Sequence, residues 1–147
     1  MTINKIENLV TWQCARELSK EIYSVTNTPE FQSDYRFCSQ IRAAAGSVMD
    51  NIAEGFEREG NKEFIQFLYI AKGSCGEVKS QLYRASDVGY ISNERGSELL
   101  VKTNDVKDKI TALIKYLKQS DIKGQKYKQD FEKIQTSKQD VSPNKIF

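Results

Sequence analysis

The chain contains no histidine. That absence removes Ser-His and Cys-His nucleophile pairs, His-ligated zinc, and the Glu-x-x-His ligands of carboxylate-bridged metal bundles. Cysteine is scarce as well: Cys14, Cys38 and Cys75 are an odd number, widely spaced, with no C-x-x-C pair. They read as buried thiols in a reducing compartment, with disulfide or metal use a remote alternative. No apolar run approaches the roughly 20 residues of a membrane span. The opening MTINKIENLV lacks the basic start and apolar centre of a signal peptide, so a soluble, cytoplasmic protein is expected. Only two prolines occur, Pro29 and Pro143, both outside the periodic segments, and no tandem repeat is evident. Gly73 and Gly76, in GSCGEV, lie inside an apolar periodic segment and not after a strand. They are therefore not a phosphate-cradling loop, and small residues there permit close helix packing. Neither a cofactor nor a metal is expected.

A net charge of one sign is missing too. Residues 1–119 carry 16 Lys+Arg and 16 Asp+Glu, while residues 120–147 carry 6 and 4. The excess of +2 thus lies in the tail, and a bulk electrostatic argument for nucleic acid is weak. At 147 residues the chain is long enough for one domain with one sizeable core.

What is present is helical periodicity. The first pattern runs from about Leu9 to Val25, with Trp12, Ala15, Leu18, Ile22 and Val25 three or four apart. The second runs from Tyr35 to Ala53 through Phe37, Ile41, Ala45, Val48 and Ile52, and is expected to stop at Gly55 as a left-handed terminator. The third spans Lys62 to Val88, where Phe64, Leu68, Ala71, Cys75, Val78, Leu82 and Ala85 alternate in steps of four and three. The fourth, Glu94 to Lys118, repeats that spacing through Leu99, Thr103, Val106, Ile110, Leu113 and Leu117. Short polar connectors between long patterns predict an all-α fold, an antiparallel up-down four-helix bundle over residues 1–119.

Phe67, Ile70 and Tyr83 on the third pattern, and Leu100, Val101, Ile114 and Tyr116 on the fourth, exceed what one apolar stripe needs. They predict a second apolar face, read as a subunit interface. Residues 120–147 form a Lys-rich extension whose Tyr127, Phe131 and Ile134 are too sparse for a core of their own. A mobile extension is the plain reading, and a docked helix the alternative.

The runs LVTWQCARELSKEIY (Leu9 to Tyr23), QIRAAAGSVMDNIAEGF (Gln40 to Phe56) and KEFIQFLYIAKGSCGEVKSQL (Lys62 to Leu82) resemble the bacterial 23S rRNA intervening-sequence proteins. The resemblance covers roughly residues 6 to 119. It implies a four-helix bundle assembled as a ring-like homopentamer, without enzymatic activity. The accessory variability proteins of diversity-generating retroelements are similar, and they bind nucleic acid and a reverse transcriptase. Members of the family often carry a basic residue at the position of Ala43, proline at Met49, Ser or Thr at Gly60, and Glu at Lys79. The departure at Ala43 removes positive charge. Lys79, with Lys72 seven residues earlier on the same helical face, adds it.

The segment SVMDNIAEGFEREG, from Ser47 to Gly60, gathers carboxylates around a helix end. A catalytic Glu54 would need a partner base or metal, and the chain offers neither. Structural readings remain open. Glu54 faces the free N–H groups at the start of the third helix, or pairs with Arg16 or Arg42. Asn51 bonds exposed carbonyls at the helix end, and Glu63 reaches back to the chain at Gly60. Asn51, Glu54, Gly55 and Glu63 are therefore read as fold-defining.

Two functions compete. In the first, the protein binds RNA or a ribonucleoprotein partner through Arg42, Lys72, Lys79, Arg84 and the tail lysines Lys123, Lys126 and Lys128. In the second, it is a homo-oligomeric protein-interaction scaffold that never touches nucleic acid. Solvated Lys and Arg on bundle helices are ordinary surface in the second case.

Overall fold

In the computed structural model, which describes residues 3–122 with side chains through Ser120, the periodic segments become helices. A 3-10 turn, Ile6–Asn8, leads into α1, Val10–Val25. There follow α2, Pro29–Ser33, α3, Tyr35–Glu57, α4, Asn61–Asp87, and α5, Asn93–Ile122. No strand occurs among the described residues. Helix α1 packs on α3 and α5, α3 on α4, and α4 on α5, so the four long helices close a ring of neighbours. Links of a few residues turn the chain back each time, giving the antiparallel up-down bundle.

The stripes read from spacing are the core. Phe64, Leu68, Ala71, Cys75, Val78, Leu82 and Ala85 of α4 are buried, as are Leu99, Val106, Ile110, Leu113 and Leu117 of α5. Phe37, Ile41, Ala45, Val48 and Ile52 of α3 face them, with Ala15, Leu18 and Ile22 of α1. Thr103 sits in this apolar layer because its hydroxyl donates to the Leu99 carbonyl at 2.7 Å, which leaves no unpaired polar atom there. Trp12 and Val25 only half-enter the core.

Periodicity missed α2. Five residues are too few to show a period, yet Thr28 accepts a hydrogen bond from the Phe31 N–H at 3.3 Å and Pro29 takes the first turn. The helix drives Phe31 fully into the core, where its ring lies 5.1 Å from Phe37 and 5.2 Å from Tyr90. Asp34 then caps α3 through the Phe37 N–H, and its other oxygen accepts from the Tyr90 hydroxyl at 3.0 Å. That hydrogen bond, with some burial, pushes the Tyr90 phenol above its ordinary range. The link between α4 and α5 is thereby pinned to the start of α3.

Several expectations change. Gly55 does not terminate α3: the helix runs through it to Glu57, and the positive φ falls at Gly60, at 95°. Gly55 is needed for closeness instead. A Cβ there would lie 2.8 Å from Phe67 Cβ and 2.9 Å from Phe64 Cδ1. Ile114 is a core residue at 4 % exposure and not part of a second face. Cys14 is half-buried, whereas Cys38 and Cys75 are buried as expected, and all three thiols are free.

Gly73 and Gly76, by contrast, do not serve the close helix packing expected of them: a Cβ at either would meet nothing within 4 Å. Gly55→Ala should therefore lower stability by about 1–3 kcal/mol through overpacking. Gly73→Ala should raise it by about 0.5–1 kcal/mol through helix propensity and unfolded-state entropy. Urea denaturation of the two variants beside the parent chain checks both signs.

Candidate nucleic-acid interface

Because the core stripe fixes how α4 is rotated, it also fixes what each flank presents. On the flank toward α5, Lys62, Ile65, Tyr69, Lys72, Gly76, Lys79 and Tyr83 recur at steps of three and four. The flank of α5 that meets it carries Leu100, Asn104, Lys107, Thr111, Ile114 and Lys118 at the same steps. Lys118 ties the two together: its ammonium donates to the Tyr69 hydroxyl at 2.8 Å and lies 5.3 Å from the ring centre. Lys107 lies close enough to Cys75 to oppose in part the burial that pushes that thiol up to about 12.

Neither stripe contains a carboxylate. Glu63 and Glu77 of α4 point to the opposite flank, toward α3, Glu98 and Asp105 of α5 lie on its α1 side, and Glu94 and Asp108 fall on its outer face. None of Lys62, Lys72, Lys79, Lys107 and Lys118 has a carboxylate partner among the described residues. Tyr69 and Tyr83 stand 48 % and 53 % exposed beside them. The result is a positive, partly aromatic face on a bundle that is neutral as a whole over residues 1–119.

The arginines named with these lysines sit elsewhere. Arg42 donates from Nε to the Thr26 hydroxyl at 2.9 Å, and its guanidinium lies 4.6 Å from the Tyr23 ring centre. It fastens α3 to the end of α1. Arg84 stacks 4.0 Å from the Phe37 ring centre and reaches Gln40 Oε1 at 3.5 Å, on the α3 flank of α4. It borders a crevice of about 550 Å³ lined by Gln40, Ala43, Ser47, Glu77 and Gln81. Only Lys72 and Lys79 of the four share one surface. Lys123, Lys126 and Lys128 lie outside the described residues.

The carboxylate knot is also placed differently. Glu54 pairs with Arg58 at 3.3 Å on exposed surface, one turn along its own helix, and with neither Arg16 nor Arg42. An exposed pair of this kind contributes about 0.3–0.5 kcal/mol, below what a buried role implies. Asn51 donates to the Ser47 carbonyl at 2.8 Å and to the Ser47 hydroxyl at 3.0 Å, inside the helix and not at its end. Ser47 in turn bonds Ser74 of α4 at 2.9 Å, so Asn51 supports the α3–α4 seam. Glu63 is exposed and has no hydrogen bond back to Gly60. Asn61 was not singled out by sequence, yet it is buried and donates to the Leu117 carbonyl at 3.1 Å, locking the start of α4 to α5.

A sequence model of the 23S rRNA-intervening sequence protein family matches residues 7–112. The chain belongs to that family. No match is found among curated proteins. A solved structure similar to this family member is that of a protein of unknown function from the S23 ribosomal protein family of Bacteroides thetaiotaomicron. It superposes with a TM-score of 0.66 at 20% identity, over 71% of this chain and 98% of that one. The likeness concerns the fold. No helix among the described residues is long and apolar enough to cross a membrane, and no group of three His, Cys, Asp or Glu side chains is placed to hold a metal.

One polar cluster of this family member lies away from the lysine face, in a crevice of about 350 Å³ between α1 and α5. Glu21 there pairs with Lys102 at 2.6 Å and Arg95 at 3.2 Å. Burial raises its carboxyl, but the hydrogen bonds and charges of Lys102 and Arg95 outweigh burial and hold it below the usual carboxylate range. A depressed folded-state pKa means the stabilisation is present above the unfolded value near 4.5 and is lost as pH falls through the folded one. Glu21→Gln should therefore cost about 1 kcal/mol at neutral pH, and its deficit should vanish in acid. Melting curves of parent and variant across that pH range check the convergence.

Proposed function

We propose that this protein is a non-enzymatic, homo-oligomeric accessory protein of the cytoplasm that binds RNA or an RNA-containing partner through its α4–α5 face. The observation that carries the reading is the pair of facing stripes with Lys62, Lys72, Lys79, Lys107 and Lys118 and no carboxylate between them. None of these five ammonium groups has an ion-pair partner among the described residues, and a polyanion would neutralise them while releasing its condensed counterions. The family's association with 23S rRNA intervening sequences supports RNA as the polyanion. Lys123, Lys126 and Lys128 follow directly on α5 in sequence and add three charges to that end of the chain.

Assembly makes such a face more effective, because several copies of a weak site act together at high local concentration. Ile70 at 52 %, Val101 at 69 % and Tyr35 at 79 % exposure supply apolar surface beyond the core. A ring of five chains is the arrangement we favour. Light scattering should give a mass near five chains; a lone 16.8 kDa species at micromolar concentration would remove the assembly. The same apolar residues support a scaffold for protein partners as the second reading.

RNA binding is checked by its salt dependence. Lys72→Gln with Lys79→Gln should weaken binding and lower the slope of log affinity against log salt by roughly 0.7–0.9 per lysine removed. Arg42→Gln and Arg84→Gln should leave that slope unchanged while reducing stability, since both arginines fasten helices. If no RNA binds at low salt, the scaffold is the function.

A further inference from the structure

The lysine face carries aromatic rings in register with its charges. Tyr69, Lys72, Lys79 and Tyr83 share one stripe of α4, with a tyrosine at each end and two lysines between. The tyrosines are separated by about 21 Å along the helix, at 1.5 Å per residue. Both rings are about half exposed. Tyr69 is held in place: Lys118 donates to its hydroxyl at 2.8 Å from the neighbouring helix. A tyrosine has only two side-chain torsions, so a ring already held presents a flat surface at low entropic cost.

We propose that the RNA recognised on the α4–α5 face is an unpaired strand, its bases stacking on Tyr69 and Tyr83 and its phosphates running over Lys72, Lys79 and Lys107. The inference rests on the RNA reading given above and adds the class of RNA. At roughly 3.4 Å per nucleotide for a stacked strand, the span between the rings accommodates about six nucleotides. Alternation of aromatic platforms with cations is the chemistry single strands use, because every base offers a π-face and each phosphate a charge. A duplex engages the lysines alone. Its bases are stacked inside the helix, and its shallow groove presents hydroxyls and base edges that two half-exposed rings do not match.

The test compares two probes on the full chain at low salt: an unstructured RNA of about 12 nucleotides, and a duplex of the same length. The single strand should bind tenfold or more tightly. Tyr69→Ala with Tyr83→Ala should abolish that preference and leave the salt slope as it was, whereas Tyr69→Phe with Tyr83→Phe should keep the preference, because stacking needs the ring and not the hydroxyl. An unchanged melting temperature shows that the alanine variant is folded, and the phenylalanine variant supplies the comparison if it is not. Equal affinity for the two probes, or an alanine variant that still prefers the single strand, overturns the inference while leaving RNA binding intact. Absence of binding to both probes overturns the RNA reading and the inference together.

Discussion

Helix α4 cannot rotate about its axis, and the rest of the molecule depends on that. Its stripe from Phe64 to Ala85 lies wholly in the core, contacting layers from α3 on one side and α5 on the other. Turning it by one residue, about 100°, would bring Glu63, Glu77 or Lys72 into apolar surroundings, where an unpaired charge costs several kcal/mol. Gly55 tightens the same constraint from α3, since its missing side chain lets the backbone approach Phe64 and Phe67. With the rotation set, each flank follows. Ser74 and Gln81 meet α3, while Lys72 and Lys79 emerge beside α5.

The long helices were readable because each carries apolar residues three or four apart over several turns, in strict alternation along α4 and α5, and a long apolar stripe has few ways to be buried. Their ends fell within a few residues of the observed ones. Gly55 was misread for a physical reason: it and Gly60 flank the same turn, and either can end a helix. Which one takes positive φ is decided by Phe64 and Phe67, which need a glycine opposite them, and no local pattern reports that need. The α2 segment did leave a signal in Thr28-Pro29, a cap followed by a proline that fits the first helical turn. It carries no period, so a reading built on periodicity passes over it.

The candidate site was legible only along one helix. Lys72 and Lys79 are seven residues apart, and that spacing places them together in any helix. Lys107 and Lys118 join them through the packing of α5 on α4, which spacing within either helix does not encode. Arg42 and Arg84 show the converse error. Their charge suggests phosphate contacts, but Tyr23, Thr26, Phe37 and Gln40 come from positions distant along the chain and engage them first. An arginine stacked on a ring and hydrogen-bonded to a neighbouring side chain acts in packing, and its loss is felt in stability.

Net charge was the least informative quantity, and screening explains why. At physiological ionic strength the Debye length is about 8 Å, shorter than the breadth of a four-helix bundle. A ligand approaching one face responds to charges on that face, and the balanced count of 16 basic and 16 acidic residues over 1–119 averages across faces it never meets. The bundle separates its charges by flank. Glu21 holds Arg95 and Lys102, Asp105 holds Lys109, and Glu54 holds Arg58, so these carboxylates are matched on the spot. Five of the lysines left over, Lys62, Lys72, Lys79, Lys107 and Lys118, lie where α4 and α5 meet. A chain neutral over its bundle can therefore present a locally cationic surface, and that surface, rather than the total, is what a polyanion would find.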